Sequence, residues 1–175
     1  PGTIGGAAFM NAGAYGGEMK DIIKSVKVLD TQGEARVLPK EELKMGYRTS
    51  IVKEKGYTVL SVELELTRGN QEEIRNTMED LKERRTSKQP LEMPSAGSTF
   101  KRPEGYFAGK LIMDSGLRGF SVGGAQVSEK HCGFVVNKGG ATAMDVLNLI
   151  REVQRRVKEQ FGVDLETEVR FLGEF

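Results

Sequence analysis

The segment "TAMDVLNLIREVQRRVKEQFG" (142–162) predicts a long amphipathic helix. Thr142 and Asp145 have the spacing of a capping pair, and Gly162 is the residue type that commonly ends a helix. The apolar side chains recur at helical spacing, and the stripe consists of Val146, Ile150, Val153, Val157 and Phe161. A helix of this kind buries its stripe against another layer, so the segment provides one layer of the fold.

Strands are predicted on either side of this helix. "GFVVN" (133–137) precedes it as a short apolar run, and "LETEVRFL" (165–172) follows it with apolar and polar residues in alternation. Successive side chains of a strand point to opposite faces. We therefore expect one face of the last strand to carry Leu165, Thr167, Val169 and Phe171, and the other to carry Glu166, Glu168 and Arg170.

The first half of the chain has the pattern of a hairpin followed by a third strand. "IIKSVKVLD" (22–30) and "EARVL" (34–38) flank a turn, and a short helix with proline in its first turn is predicted at 39–43. "YTVLSVELEL" (57–66) alternates as a half-buried strand does. Its predicted apolar face consists of Leu60, Val62, Leu64 and Leu66.

Two further helices complete the prediction of an α+β fold in two small layers. One begins after a capping Asn70 and runs to about residue 85, with Ile74, Met78 and Leu81 as its apolar stripe. The other covers about 108–115. Two prolines interrupt "SKQPLEMPSAG" (87–97), so we expect a domain boundary near residue 88, with domains over 1–88 and 89–175.

The composition argues against several kinds of partner. The chain has 175 residues, is 38% hydrophobic and 29% charged, and has a net charge of +1, which gives no reason to expect nucleic acid or a membrane as partner. No apolar run approaches the roughly 20 residues of a membrane helix. With one cysteine and one histidine, we expect neither a disulfide nor a metal site, and a reducing, cytoplasmic location.

The opening segment "PGTIGGAAFMNAGAYGG" (1–17) contains six glycines and four alanines. Clustered glycine most often forms turns. The other interpretation is a loop that cradles a ligand, because glycine adopts positive φ and has no side chain to prevent the backbone from approaching closely.

Arg48 and Ser98 lie in two other segments that have both a plain and a functional interpretation. Arg48, in "GYRTSI" (46–51), is either a surface charge or a guanidinium fork for a carboxylate or phosphate. Ser98, in "PSAGSTFKRP" (94–103), is either an exposed turn hydroxyl or a serine fixed by a stiff loop. No histidine accompanies it, so a Ser-His-Asp hydrolase is not supported. As a very weak acid, it could donate a proton only to a strongly basic acceptor such as a carbanion.

The charged face of the last predicted strand is a third candidate. Glu166, Glu168 and Arg170 form either the solvated side of an edge strand or one wall of a cleft. His131 precedes an apolar strand, and packing or hydrogen bonding is the favoured role for it over catalysis. Cys132 is expected to be a small buried hydrophobe.

Taken together, these segments resemble the UDP-N-acetylenolpyruvoylglucosamine reductases, the flavoenzymes of peptidoglycan precursor synthesis. The matching pieces, in family order, are "PGTIGGAAFMNAGAYG", "GYRTSI", "RTSKQP", "PSAGSTFKRP", "AGKLI" with "GLRG", "VGGAQVSEKHCGFVVN", "ATA" with its following Asp, and "LETEVRFLG". The resemblance implies that 1–88 is the C-terminal part of an FAD-binding domain of the vanillyl-alcohol-oxidase type. It also implies that 89–175 is a small α+β substrate-binding domain.

The cofactors implied by the resemblance are FAD and NADPH. In the family, NADPH reduces FAD, and the reduced flavin passes hydride to C3 of the enolpyruvyl group of UDP-N-acetylglucosamine enolpyruvate, which gives UDP-N-acetylmuramate. The opening segment would contact the FAD diphosphate and flavin through backbone N–H groups. Its matching positions are Gly2, Thr3, Ile4, Gly5, Gly6, Asn11, Gly13, Ala14 and Tyr15.

The resemblance also implies three catalytic roles. Arg48 would stabilise the charge that develops on the enolate, Ser98 would protonate C2, and Glu168 would help to polarise the same group. Preorganised charge of this kind usually contributes more to catalysis than any other single effect. The implied substrate-binding residues are Tyr47, Lys88, Arg102, His131 and Arg170.

Two residues and the length of one connecting stretch resemble the shorter, second type of the family. His131 stands where one branch has glutamine, Arg102 stands where it has asparagine, and the stretch between Arg48 and Lys88 has no room for that branch's tyrosine-bearing loop. Family members carry a further N-terminal FAD lobe before the start of this chain. We therefore expect a fragment that has this missing lobe as its partner.

Two other functions remain open at this point. The chain could be a non-catalytic module that binds a UDP-sugar, or part of another FAD oxidoreductase with the same flavin-binding fold. The set of Arg48, Ser98 and Glu168 favours the reductase over another oxidoreductase, while the flavin absorbance of the purified protein distinguishes the reductase from a binding module.

Overall fold

The computed structural model describes residues 2–174, so Pro1 of the glycine-rich opening and Phe175 lie outside the description. The chain forms two compact units, of which the first ends at Thr77 and the second begins at Met78. The mixture of helices and antiparallel strands confirms the predicted combination of element types. The domain boundary near residue 88 stays a prediction, because one helix over Gln71–Lys88 contains both positions.

The first unit is built on a three-stranded antiparallel sheet. Its elements are α1 (Ile4–Phe9), β1 (Gly13–Ala14), β2 (Gly17–Glu18), α2 (Met19–Ile22), β3 (Ile23–Leu29), β4 (Ala35–Pro39), a 3-10 helix (Lys40–Leu43), α3 (Ile51–Glu54) and β5 (Thr58–Leu64). The strand order is β4-β3-β5, and β1 pairs with β2 in a separate hairpin. The core consists of Ala8, Met19, Ile23, Val26, Val28, Leu43 and Val52. The predicted hairpin and the short helix after Pro39 are confirmed.

The glycine-rich opening starts with a helix and not with a turn or loop. The Thr3 hydroxyl caps α1 by accepting a hydrogen bond from the Gly6 N–H at 3.2 Å. A Cβ added at Gly5 would lie 3.5 Å from the Val59 Cβ, which is ordinary contact distance. The small residues of this segment therefore let a helix lie close to β5.

Strand β5 buries a different set of side chains from the one that strict alternation predicts. A β-bulge leaves Leu60 without a partner residue on β3, and one extra residue moves the following side chains to the other face. Val59 and Val62 therefore pack against the core, while Leu60, Leu64 and Leu66 are exposed. Of the predicted apolar face, only Val62 is correct.

The second unit contains a four-stranded antiparallel sheet packed against a long helix. Its elements are the remainder of α4 (Gln71–Lys88), then β6 (Ser95–Ser98), α5 (Ala108–Asp114), β7 (Ser121–Val122), β8 (Ala125–Val127), β9 (Phe134–Asn137) and α6 (Ala143–Phe161). The strand order is β6-β9-β8-β7. The core includes Leu111, Ile112, Leu117, Val127, Leu149, Ile150, Val153 and Val157.

The capping of the two long helices is confirmed. Thr142 and Asp145 form a reciprocal capping box at the start of α6, and Gly162 ends it in the left-handed conformation at φ 70°. The Asn70 side chain accepts hydrogen bonds from the N–H groups at the start of α4. The apolar stripe of α4 is not buried, because Ile74 and Met78 are exposed and Leu81 is only half-buried.

The strand predicted at 165–172 is wrong. The segment makes one isolated bridge, between Thr167 and Phe100, and two flanking backbone hydrogen bonds, Lys101 N–H to Glu166 O and Glu168 N–H to Thr99 O. Leu165 is buried, but exposure rises after it and Phe171 is 41% exposed. The alternation indicated β pairing, and the one bridge present is too short a ladder to make a strand.

Candidate functional site

Arg48 lies at the centre of a tight turn in the first unit. Gly46 and Thr49 exchange backbone hydrogen bonds of 3.1 and 3.3 Å, which leaves Tyr47 and Arg48 at the tip. Arg48 has a φ of 55°, a conformation that costs a residue with a side chain about 1–2 kcal/mol. Strain of this kind persists where the surroundings fix the backbone, and it is frequent at functional sites.

Three side-chain hydrogen bonds to the backbone hold this turn. The Lys53 ammonium donates to the Arg48 carbonyl at 2.9 Å, and the Asn11 amide donates to the Gly46 carbonyl at 3.0 Å. Ser50, which is fully buried, donates to the Phe9 carbonyl at 2.6 Å and so ties the turn to α1. These contacts fix the backbone on both sides of Arg48.

Asn11 is the connecting residue of this region. Its side chain is 1% exposed and donates a second hydrogen bond, of 2.7 Å, to the Glu18 carboxylate. Its oxygen accepts from the Lys20 N–H at 2.9 Å. The backbone has a φ of 48°, which asparagine tolerates better than most residues. The side chain is therefore committed to contacts within the chain, whereas the predicted contact of Asn11 with a cofactor was through its backbone.

Glu18 is held as a carboxylate beside this network. Lys20 forms an ion pair with it at 2.8 Å. The hydrogen bond from Lys20, followed by the one from Asn11, lowers the pKa of the Glu18 carboxyl below its ordinary value. Arg48 contributes further through its positive charge. The sequence singled out neither Glu18 nor Lys53, because a charged residue at the surface of a short element carries no local signal of its partner.

A cavity of about 200 Å³ lies between the β1–β2 hairpin and the Arg48 turn. Its lining combines backbone of the hairpin with two side chains of the turn, and consists of Asn11, Gly13, Ala14, Gly16, Gly17, Glu18, Tyr47 and Arg48. The Arg48 guanidinium lies 5.3 Å from the Tyr47 ring and donates to the Gly13 carbonyl at 3.4 Å. The structure thus brings five predicted residues together: Asn11, Gly13, Ala14, Tyr47 and Arg48.

The glycines of the opening segment have different surroundings. A Cβ on Gly13 would lie 2.7 Å from Glu18 Cγ and 2.8 Å from the Gly17 carbonyl, so no side chain fits there. Gly2, Gly16 and Gly17 have no atom within 4 Å of a Cβ position, which leaves their backbone open to approach from outside. The Gly6 N–H, by contrast, is already bonded to the Thr3 hydroxyl.

The remaining predicted cofactor residues do not line this cavity. Ile4, Gly5 and Gly6 lie in helix α1, and Gly2 and Thr3 precede it. Tyr15 is about half exposed and has a φ of 54°. Within this segment, positive φ occurs at Asn11, Tyr15 and Gly16, and not at the candidate glycines Gly5, Gly6 and Gly13.

Ser98 ends strand β6 in the second unit, next to a β-bulge. Ser95 pairs with Val136 and Ser98 with Phe134, so β6 has one residue more than β9 between these pairs. Gly97 absorbs the extra residue at a φ of 86°. Bulges redirect side chains and are common next to active sites, and the Ser98 side chain is exposed.

Thr99 connects Ser98 to Glu168. It is 2% exposed, and its carbonyl accepts the Glu168 N–H at 2.9 Å. Its own N–H donates to the Gly133 carbonyl at 2.9 Å, and its hydroxyl accepts the Val135 N–H at 3.0 Å. The sequence prediction missed Thr99. The available signal was a second hydroxyl residue directly after the candidate serine.

Glu166 and Glu168 are separated by their partners. Lys101 forms an ion pair with Glu166, which is exposed. Glu168 is half-buried and is attached through its backbone to Thr99. Arg170 lies at the edge of a mostly apolar groove of about 560 Å³ between β6, β9 and α6. Glu168 is therefore hydrogen-bonded to Thr99, the residue directly after Ser98. The Glu166 side chain instead pairs with Lys101.

His131 makes the structural contacts that its sequence position predicts. Its Nδ1 accepts the Gly133 N–H at 3.1 Å, so the proton of the neutral ring lies on Nε2. Its backbone N–H donates to Ser128 Oγ at 3.2 Å, and its ring meets the Phe134 ring edge-on at 5.0 Å. A role of Nε2 toward substrate stays a prediction.

The other predicted residues of the second unit are surface residues. Arg102 donates to the Tyr106 carbonyl at 3.2 Å and lies 4.0 Å from the centre of the Phe107 ring. Lys88 is the exposed last residue of α4. Cys132 is buried as predicted, and burial raises the pKa of its thiol.

Residues 2–174 contain neither a candidate metal site nor a candidate membrane span. No group of three or more His, Cys, Asp or Glu side chains in this range is placed to hold a metal ion. None of the helices described is long and apolar enough to span a membrane.

Known proteins resemble this chain in sequence and in fold. Residues 89–172 match the family model described as UDP-N-acetylenolpyruvoylglucosamine reductase, C-terminal domain. Curated proteins named UDP-N-acetylenolpyruvoylglucosamine reductase from Lachnoclostridium phytofermentans and Clostridium perfringens (strain SM101) are each 64% identical over 99% of the chain. The chain spans only 56% and 57% of their respective lengths.

A solved structure extends this similarity to the fold. The crystal structure of UDP-N-acetylenolpyruvylglucosamine reductase from Thermus caldophilus matches 94% of the chain and 59% of its own, with a TM-score of 0.81 and 42% identity.

Proposed function

The chain belongs to the UDP-N-acetylenolpyruvoylglucosamine reductase family, and from this membership we propose that it carries substrate-reducing residues of such an enzyme. The reaction is the reduction of UDP-N-acetylglucosamine enolpyruvate to UDP-N-acetylmuramate, with FAD as cofactor and NADPH as reductant, in peptidoglycan precursor synthesis. The observation that carries the proposal is the connection of Ser98 to Glu168 through the buried Thr99. We place the reaction in the cytoplasm, in keeping with a single buried thiol.

The first unit fits part of a flavin cofactor. The hairpin at Gly13–Glu18 presents open backbone at Gly16 and Gly17 beside the Arg48 guanidinium, and backbone groups with a nearby positive charge suit a phosphate or an electron-rich ring edge. The cavity of about 200 Å³ is too small for a whole FAD, so these residues would hold one portion of it. When bound, the flavin supplies the hydride.

Arg48 is proposed to stabilise negative charge on the substrate. Hydride addition at C3 of the enolpyruvyl group leaves charge at C2 and on the attached carboxylate. A guanidinium whose backbone is already fixed by Lys53 and Asn11 needs little reorganisation as that charge develops. Preorganised donors of this kind contribute about 10²–10³ to the rate.

Ser98 is proposed to donate the proton to C2. An alcohol is acidic enough only for an acceptor as basic as a carbanion, which is the character that C2 acquires after hydride addition. Its hydroxyl is exposed at the end of β6, where a substrate can reach it. Glu168, attached through Thr99, is proposed to polarise the same group.

The two half-reactions, measured separately in the full-length protein, test the proposal. We expect the purified protein to contain flavin, NADPH to reduce that flavin, and UDP-N-acetylglucosamine enolpyruvate to reoxidise it. A colourless protein that binds the UDP-sugar would instead be a binding module. A flavoprotein that is not reoxidised by this substrate would be a different oxidoreductase.

A further inference from the structure

We propose that Thr99 is a positioning residue for the proton-transfer step: its buried hydroxyl holds the backbone that carries Ser98 and Glu168. The inference rests on the proposed function, and it adds a residue outside the proposed catalytic set. Three features of the second unit support it: the bulge in β6, the three hydrogen bonds of Thr99, and the attachment of the segment that contains Glu168.

The bulge in β6 leaves a buried backbone N–H of β9 without a carbonyl acceptor on β6, and the Thr99 hydroxyl accepts its hydrogen bond instead. Between the paired residues Ser95–Val136 and Ser98–Phe134, β6 has two residues and β9 has only Val135. The Val135 N–H points into a buried environment, where an unpaired donor is strongly unfavourable. Thr99 Oγ1 accepts this N–H at 3.0 Å in a fully buried hydrogen bond. A side chain thus replaces the strand carbonyl that the bulge displaces.

The same residue fixes Glu168. The Thr99 carbonyl accepts the Glu168 N–H at 2.9 Å. The chain from Leu165 onward forms no regular strand and is attached nearby by the Lys101 N–H to Glu166 carbonyl bond and by Gln154, which donates to the Leu165 carbonyl at 2.8 Å. A shift of the Thr99 backbone would therefore move Ser98 directly and Glu168 through its hydrogen bond.

Valine is the informative substitution, because it has the shape of threonine without the hydroxyl. Thr99→Val leaves the Val135 N–H without its acceptor, so the bulge relaxes toward another partner. A displacement of about 1 Å in a catalytic arrangement costs about 10²-fold in rate. We expect the flavin reoxidation rate to fall between about 10-fold and 10²-fold, while flavin reduction by NADPH and the Kd for the UDP-sugar stay within about twofold.

Two variants serve as controls. One tests whether the loss of any such hydroxyl slows the reaction, and the other tests whether the Thr99 hydroxyl alone is sufficient. Thr142→Val makes the same chemical change at another threonine of the second unit whose hydroxyl accepts a backbone N–H, that of Asp145 at 3.1 Å. It should leave both half-reactions unchanged. Thr99→Ser keeps the hydroxyl and should restore reoxidation to within about threefold of wild type, well inside the ~10²-fold that misplacement costs.

The experiment measures the two half-reactions by stopped flow in the full-length protein, together with amide hydrogen exchange. In Thr99→Val, exchange should accelerate at Val135 and Glu168 and stay unchanged at the start of α6. If Thr99→Val does not fold, Thr99→Ala is measured in its place, because the space it opens lets water reach the Val135 N–H, and the same kinetic result is expected.

The possible outcomes separate the inference from the function on which it rests. Equal reoxidation rates in Thr99→Val, Thr142→Val and wild type would overturn the positioning role and leave the proposed function intact. Slow reoxidation in Thr99→Ser as well would also overturn it, since the hydroxyl would not be the cause. A wild-type protein whose flavin is not reoxidised by the UDP-sugar would overturn both.

Discussion

The turn around Arg48 and the end of β6 at Ser98 are each held in place by a buried polar residue, but through different kinds of hydrogen bond. Each places an exposed or half-buried functional candidate next to a buried polar residue, Asn11 in one unit and Thr99 in the other. The Asn11 side chain makes three hydrogen bonds, to the Glu18 carboxylate, the Gly46 carbonyl and the Lys20 N–H. Thr99 uses its hydroxyl for one hydrogen bond, and its backbone N–H and carbonyl make two more directly after the end of β6.

Because of this difference, the two regions are sensitive to different substitutions. The Arg48 turn belongs to no sheet, carries a left-handed non-glycine residue, and depends on side chains for its geometry. The Ser98 region has neighbouring strands on which to rely, so one lost side-chain bond should displace it without unfolding it. Substitutions near Arg48 should therefore affect stability and activity together, while those near Ser98 should affect mainly activity.

The largest effect is expected for Ser98 itself. Ser98→Ala should slow flavin reoxidation by the UDP-sugar by about 10²–10⁴-fold, the range for a general acid, and leave flavin reduction by NADPH unchanged. Stopped-flow absorbance of the flavin measures both steps. Wild-type rates in both half-reactions would remove Ser98 from the proton-donor role.

A smaller loss is expected for Arg48. Arg48→Lys keeps the charge but loses the planar fork, and it should lower kcat/KM by about 10²–10³-fold if the guanidinium stabilises the developing charge. Steady-state kinetics give this value. Arg151→Lys, at an exposed position of α6, is the matched control and should behave as wild type.

Asn11 tests the dependence of the Arg48 turn on side chains. Asn11→Asp keeps the shape and tolerates the left-handed backbone, but it removes both N–H donors and places a second carboxylate beside Glu18. We expect the free energy of unfolding to fall by about 3 kcal/mol. Adding Glu18→Gln should recover part of this loss, because the glutamine can donate to Asp. Urea unfolding of Asn11→Asp, of Glu18→Gln and of the double variant measures the coupling between the two residues. Losses that simply add in the double variant would contradict this coupling.

Two glycines with the same φ allow a direct comparison of the units. Gly97 and Gly33 both have a φ of 86° and no atom within 4 Å of a Cβ position. Alanine at either should cost about 1–2 kcal/mol. Only Gly97→Ala should also slow flavin reoxidation, because only Gly97 lies in the bulge beside Ser98. Equal kinetics in the two variants would show that the bulge does not govern Ser98.

The smallest effect concerns Glu152 on α6, which belongs to neither region. Hydrogen bonds from Arg155 and then Arg156 lower its pKa from 4.5 to about 2. The carboxylate therefore stabilises the fold above pH 4.5 and loses this contribution as the pH falls through about 2. The stability difference between wild type and Glu152→Gln should shrink over that range in acid titrations followed by urea unfolding. A difference that does not change with pH would contradict the assignment.

The sequence predicts elements well where local signals are complete. The long helix is bounded by Thr142 and Gly162, both of which act as expected, and the first hairpin is correct. The alternation in "YTVLSVELEL" predicted the wrong buried face, because the bulge at Leu60 depends on pairing with β3. The last segment alternates as well, but with a single bridge it has too little pairing to form a strand.

The candidate site was predictable only in part for the same reason. Arg48, Ser98 and Glu168 come from recognisable segments. Thr99 and Ser50 act through backbone groups that are distant in sequence, the N–H of Val135 and the carbonyl of Phe9. No local pattern marks such a bond, because its partner is set by the tertiary fold. At Gly5 of the opening segment, the close approach is that of a helix to a strand, and the approach of a cofactor to the other glycines stays a prediction.

We propose above that Ser98 protonates C2 of the enolpyruvyl substrate. The most direct measurement is the product formed in D₂O from UDP-N-acetylglucosamine enolpyruvate and NADPH by the full-length protein, analysed by NMR. We expect solvent deuterium at C2, with product formation about 10²–10⁴-fold slower in Ser98→Ala. Absence of the reduced product, or formation at the same rate without the Ser98 hydroxyl, would contradict it.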